Sequence, residues 1–118
     1  MAKTLKQNIG QAGEDMAANY LESNGFTVRE RNFRHKRAEI DLIVQKDNLL
    51  VFVEVKTRKS DDFGFPETFV SASKAQLIVN AAEAYILQHN WQQLIRFDIL
   101  AITLQAASPI VHLEDAFY

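Results

Sequence analysis

Residues 38–58 read AEIDLIVQKDNLLVFVEVKTR, and the fold turns on how this stretch pairs with itself. Two runs of alternating apolar residues, Ile40 to Val44 and Leu49 to Val55, flank Lys46-Asp47-Asn48. An Asp-Asn turn between alternating hydrophobics signals a β-hairpin. With Asp47 and Asn48 as a two-residue loop, Lys46 faces Leu49, and counting outward sets Asp41 opposite Glu54 and Glu39 opposite Lys56. Side chains alternate with period two. Glu39, Asp41, Ile43, Phe52, Glu54 and Lys56 are therefore expected on one face, and Ile40, Leu42, Val44, Val51, Val53 and Val55 on a buried second face.

Like charges directly opposite destabilise a strand pair by about 0.2–1 kcal/mol. Asp41 against Glu54 needs a compensating charge, and a divalent cation would provide it, because hard ions such as Mg²⁺ are held by one or two carboxylates plus water and phosphate oxygens. The plainer account is a solvent-exposed strand end with Glu39 and Lys56 as a weak surface ion pair. That account fits poorly with Ile43 and Phe52 on the same face, which point to a sheet covered on both sides with the charges in a cleft.

The chain has 118 residues, 47% hydrophobic content and a formal net charge of -2, which suits one compact domain, residues 1–118, with a real core. It has no cysteine, so a disulfide scaffold and a thiolate metal site are excluded. No apolar run approaches the roughly 18 residues of a membrane span, and the N-terminus lacks a secretory apolar region. A cytoplasmic protein without a membrane partner is expected. The net charge argues against a general nucleic-acid coat, yet Arg29, Arg31, Arg34, Lys36, Arg37, Lys56, Arg58 and Lys59 form a local basic region between positions 29 and 59.

Ahead of the hairpin, Asn8 to Asn24 has helical periodicity and a left-handed stop at Asn24-Gly25. Glu14 lies on or beside the apolar face, either as a first-turn acid favourable to the helix dipole or as a third carboxylate aimed at the sheet. Gly10 and Gly13 weaken this helix but permit close approach of backbone or substrate. Phe26 to Phe33 alternates as a strand, with Phe26, Val28 and Glu30 sharing a face, and Arg34-His35-Lys36-Arg37 is a basic connection, a phosphate contact or a solvated turn. The three histidines show no ligand spacing.

Beyond the hairpin, Lys59 to Thr68 is a loop in which Phe63 and Phe65 flank Gly64, either contacting substrate or tucking into a minor core. Ser73-Lys74-Ala75-Gln76 has the form of a capping box opening a second helix to about His89, with Leu77, Ala81, Ala84, Tyr85 and Gln88 inward, bordered by Ile78 and Ile86. Leu94 to Leu104 is a nearly continuous apolar strand in which Asp98 needs a partner, and Ile110 to Leu113 closes the sheet. Trp91 is expected to cap the second helix by packing. The order αβββαββ gives an α/β sandwich with mixed strand directions.

Gly13-Glu14, Arg31-Asn32, Glu39-Ile40-Asp41-Leu42-Ile43, Phe52-Val53-Glu54-Val55-Lys56-Thr57-Arg58, Phe63-Gly64, Pro66 and Lys74 together resemble the bacterial YraN-like family of uncharacterised proteins. That family is similar to archaeal Holliday junction resolvases within the restriction-endonuclease-like superfamily. The resemblance runs from Gly10 to about Phe97, and its most specific part is an Asp on one strand followed by Glu-x-Lys on the next. It implies a restriction-endonuclease-like sandwich, a mixed central sheet flanked by helices. It further implies that Asp41 and Glu54, with the main-chain carbonyl of Val55, hold Mg²⁺ or Mn²⁺, that Lys56 orients the attacking water, and that Glu14 assists. Arg31, Arg34, Lys36, Arg37, Arg58 and Lys59 would then contact DNA, with Glu39, Lys74 and Gln76 as auxiliary residues, and a homodimer would span a junction. One departure is Ala38, where the family usually has Gly. The competing reading is a non-catalytic nuclease-fold module that binds nucleic acid or a partner protein.

Overall fold

A computed structural model describes residues 2–60 and 69–118. The element order is α1 (Leu5–Ser23), β1 (Thr27–His35), β2 (Ala38–Lys46), β3 (Leu49–Arg58), α2 (Ala72–His89), β4 (Leu94–Thr103) and β5 (Ile110–Leu113). The expected αβββαββ order and mixed sheet are borne out. The strands form one sheet in the order β1-β2-β3-β4-β5, with β3 and β4 parallel and the other neighbours antiparallel. The α2 crossover makes the parallel pairing possible, since parallel neighbours cannot be joined by a tight turn.

Each face of the sheet carries one helix. On one side Ala17, Ala18 and Leu21 of α1 pack on Leu42, Val44, Val51, Val53, Leu100 and Ile102. On the other, Ile78, Val79, Ala81, Ala82 and Tyr85 of α2 pack on Ile43, Leu50, Phe52 and Phe97. The hairpin pairs as expected at Lys46↔Leu49 and continues to Leu42↔Val53. There it stops. From Leu42 onward β2 stays paired only with β1, down to Ala38↔His35, whereas β3 stays paired with β4 as far as Arg58↔Thr103. The sheet therefore forks between β2 and β3.

This fork corrects the expected faces. Ile40 was expected beside Leu42 and Val44, but it lies in the α2-side core with Ile43, so the alternation slips by one residue at Asp41. Glu39 consequently faces the α1 side, lining a cavity with Gly10 and Glu14. Glu39 and Lys56 are not ladder partners, and Glu39 instead pairs with Arg34 at 2.9 Å. The methyl group of Ala38 joins the α2-side core, where packing accommodates it.

Other boundaries move for local reasons. The first helix starts before Asn8, because Thr4 and Gln7 form a capping box. Its stop is as expected, with Gly25 left-handed at φ 91°. A register shift at Arg29 puts Glu30 opposite Ile43, off the face of Val28, and turns Arg29 over the rings of Tyr85 and Trp91. Arg34 and His35 belong to β1, leaving Lys36 and Arg37 as the turn. Ser71, not Ser73, caps α2, and Gln76 bonds Asn80 one turn on. Leu77 and Gln88 are exposed, their expected inward places taken by Ile78, Val79 and Ala82. Phe63, Gly64, Phe65 and Pro66 lie outside the described residues.

Candidate active site

Beyond Leu42↔Val53 the main-chain groups of β3 on the side facing β2 lose their ladder partners, and a side chain replaces one of them. Asp41 Oδ2 accepts a hydrogen bond from the Val55 N–H at 2.7 Å, bridging the fork. Glu54 is the neighbouring carboxyl of Asp41 at the fork, so two like charges meet there when both are ionised. Burial, followed by the hydrogen bond and negative charge of Glu54, pushes the Asp41 carboxyl up to about 9. The Val55 N–H opposes that rise and Glu14 adds to it. Glu54 is 5% exposed, and the Lys74 ammonium from the first turn of α2 is bonded to its Oε2.

Glu14 reaches the fork from the opposite helix, for which Gly13 is responsible. A Cβ on Gly13 would lie 1.9 Å from Thr57 Oγ1, so only glycine lets α1 lie this close on β3. Gly10 meets nothing within 4 Å and is not required by packing. Burial raises the Glu14 carboxyl, opposed by Arg31 and by a hydrogen bond from Asn32. Its Oε1 is buried without a hydrogen-bond partner among the described residues, with Arg31 Nη2 at 3.8 Å. The approach of Glu14 to the sheet side, open in the sequence, is thus decided by tertiary packing.

Two cavities meet at Glu14 and Gly10. One of about 450 Å³ is lined by Lys6, Val55, Thr57, Arg58 and Lys59 among others, and one of about 530 Å³ by Lys3, Asn32, Arg34 and Glu39 among others. Asp41, Glu54, Val55, Glu14 and Lys74 therefore converge at the fork, and Arg34, Arg58 and Lys59 flank it. Several expected residues carry other bonds as well. Arg31 pairs with Asp15 at 2.7 Å, Arg58 Nε donates to Thr103 Oγ1 at 3.1 Å, and exposed Gln76 bonds Asn80. Lys36 and Arg37 project from the β1–β2 turn. Lys6, two helical turns before Glu14, and Lys3, just ahead of the α1 cap, line these cavities and were not singled out in the sequence.

Asp98 finds its partners away from the fork. Arg96 donates to both its oxygens at 2.8 Å, the Asp115 N–H donates at 3.0 Å, and His112 Nε2 lies 2.7 Å from Oδ2. An ionised carboxylate only accepts, so His112 Nε2 carries a proton, and its Nδ1 lies 3.2 Å from the Tyr20 hydroxyl. This network ties β5 and the C-terminus to the sheet.

Among the described residues no three His, Cys, Asp or Glu side chains converge as a metal-binding group. The donors at the fork are two touching carboxylates, to which main-chain oxygen and water can be added. This set fits Mg²⁺ or Mn²⁺, which prefer oxygen and retain several waters.

A family model described as "Uncharacterised protein family UPF0102" matches residues 13–102. A UPF0102 protein of Flavobacterium psychrophilum is 45% identical over 94% of this chain and 94% of its own length. One of Flavobacterium johnsoniae is 47% identical over 93% of this chain and 94% of its own, and one of Caldanaerobacter subterraneus 42% over 99% and 100%. The expected resemblance to the YraN-like family agrees with these matches. In the fold itself, no helix among the described residues is long and apolar enough to cross a membrane.

Proposed function

The chain belongs to the uncharacterised protein family UPF0102, and from its forked site we propose that it is a divalent-metal-dependent nuclease hydrolysing phosphodiester bonds of branched or otherwise structured DNA. The observation that carries this reading is the juxtaposition of Asp41 and Glu54, two neighbouring carboxyl groups where β2 leaves β3. Mg²⁺ or Mn²⁺ bound there would lower the pKa of coordinated water and shield the charge of a phosphodiester.

The residues of the chain divide the remaining work. Asp41 and Glu54 hold the ion, with the Val55 carbonyl as a main-chain donor. Lys56 leaves β3 on the same side as Glu54 and orients the attacking water while steadying charge on the phosphate. Glu14 supplies a third carboxylate with an unsatisfied oxygen. Arg34, Lys36, Arg37, Arg58 and Lys59 engage the DNA backbone, so binding weakens as salt rises. A homodimer in the cytoplasm would present two such sites to a junction.

The test is purified protein with Mg²⁺ or Mn²⁺ on a panel of four-way junctions, flaps and single strands. Cutting that disappears in Asp41→Ala, with the fold retained, is expected. No cutting anywhere on the panel retires the enzyme reading. A non-catalytic binding module is the second reading, favoured by one observation: Lys74 already neutralises Glu54. It predicts DNA binding with no heat or stability change on adding Mg²⁺ or Mn²⁺.

A further inference from the structure

The carboxylate that is buried deepest at the fork already has a cation. Glu54 is 5% exposed, and the Lys74 ammonium is bonded to its Oε2. Lys74 reaches it from a fixed base, because its own N–H donates to the Ser71 Oγ that caps α2, at 3.3 Å. The side chain itself runs along the surface. The Lys74 side chain is 51% exposed, so the ammonium can leave Glu54 for solvent without unpacking the core. Lys56, by contrast, lies on β3 in the unbroken β3–β4 ladder.

Resting on the nuclease reading, we propose that Lys74 is a resident counter-cation of Glu54 that a divalent ion must displace, so that this lysine sets the metal concentration at which the site loads. A dication and an ammonium cannot share one buried carboxylate, since like charges at such separations repel strongly where water is scarce. Metal therefore binds only the fraction of molecules in which Lys74 has let go, and its apparent affinity is reduced by that fraction. The same contact holds the metal-free fork together by offsetting a buried negative charge. Lys74 thus acts through Glu54 as a positioning residue.

The experiment is calorimetric titration of Mn²⁺ into wild type, Lys74→Met, Lys74→Gln and Lys74→Arg, with Asp41→Asn as the control lacking the site, alongside melting curves with and without Mn²⁺. Lys74→Met and Lys74→Gln are expected to bind Mn²⁺ about tenfold more tightly, equivalent to about 1.4 kcal/mol. Without metal they melt below wild type, and with saturating Mn²⁺ all three melt alike. Lys74→Arg keeps the charge and behaves as wild type. Equal or weaker binding by both neutral variants overturns the proposal, while Asp41-dependent binding by wild type leaves the nuclease reading standing. Lys74→Arg binding as tightly as Lys74→Met also overturns it, by showing that shape and not charge was responsible. Binding by the neutral variants alone supports it, with the wild-type site held shut. No binding by any of them overturns this proposal and the nuclease reading together.

Discussion

Asp41→Asn should make the metal-free protein more stable at neutral pH while destroying its metal site. The Asp41 carboxyl is pushed up to about 9 from an ordinary 3.8, by burial first and by Glu54 next. The folded chain binds this proton more tightly than the unfolded chain, so stability is greatest below 3.8 and declines as the pH rises toward 9. Each pH unit in that window costs about 1.4 kcal/mol, which amounts to about 4 kcal/mol at pH 7. Water entering the fork raises the effective dielectric and reduces this to about 2 kcal/mol. The substituted amide carries no ionisation, yet its oxygen can still accept from the Val55 N–H and its NH₂ can donate to Glu54. Urea unfolding in EDTA at pH 5, 7 and 9 should show the variant gaining on wild type by about 2–4 kcal/mol at pH 7, with the gap widening as pH rises. Saturating Mn²⁺ should reverse the order, because a ligand at about 1,000 times its dissociation constant adds about 4.1 kcal/mol to wild type alone. A variant less stable than wild type at pH 7 in EDTA, or a gap independent of pH, would refute the reasoning.

Three further outcomes are expected. Gly13→Ala should lose about 1–3 kcal/mol in thermal or urea unfolding, as its methyl meets Thr57, whereas Gly10→Ala, with open space around it, should gain up to about 1 kcal/mol of helix stability. Asp98→Asn should cost about 3 kcal/mol at pH 7 by leaving Arg96 and His112 short of their acceptor. Burial alone would raise the Asp98 carboxyl, but His112, Arg96 and the Asp115 N–H lower it, so its contribution is present above 3.8 and lost on acidification; the variant should lack that acid limb. Lys56→Gln should reduce cleavage by about 10²-fold or more while calorimetry shows Mn²⁺ binding retained.

The fold was largely legible because its signals are local. Asp47-Asn48 set the hairpin register, Asn24-Gly25 ended α1, and the apolar run from Leu94 marked a buried strand. Asp98, an acid inside that run, was read as needing a partner; Arg96, two residues before it on the same face, was within reach of the sequence, whereas His112 on β5 was not. The helix starts were misplaced by short capping signals: Thr4 with Gln7 lay ahead of the apolar periodicity, and Ser71 competed with Ser73. The inner face of α2 was rotated because Leu77 and Ile78 fit a helical stripe equally well until the sheet chooses between them.

Taken alone, then, the sequence determined the order of elements, the pairing of β2 with β3 near its turn, and the identities of Asp41, Glu54 and Lys56 as residues worth examining. Period-two alternation carries no information about where a strand exchanges one neighbour for another, so the expected register ran straight through Asp41 to Glu39 and Lys56. The fork arises from non-local competition, with β1 holding the start of β2 and β4 holding the end of β3. Only the tertiary structure could therefore switch Ile40 and Glu39 between faces, lay Gly13 on Thr57 to bring in Glu14, and deliver Lys74 from the far helix to Glu54.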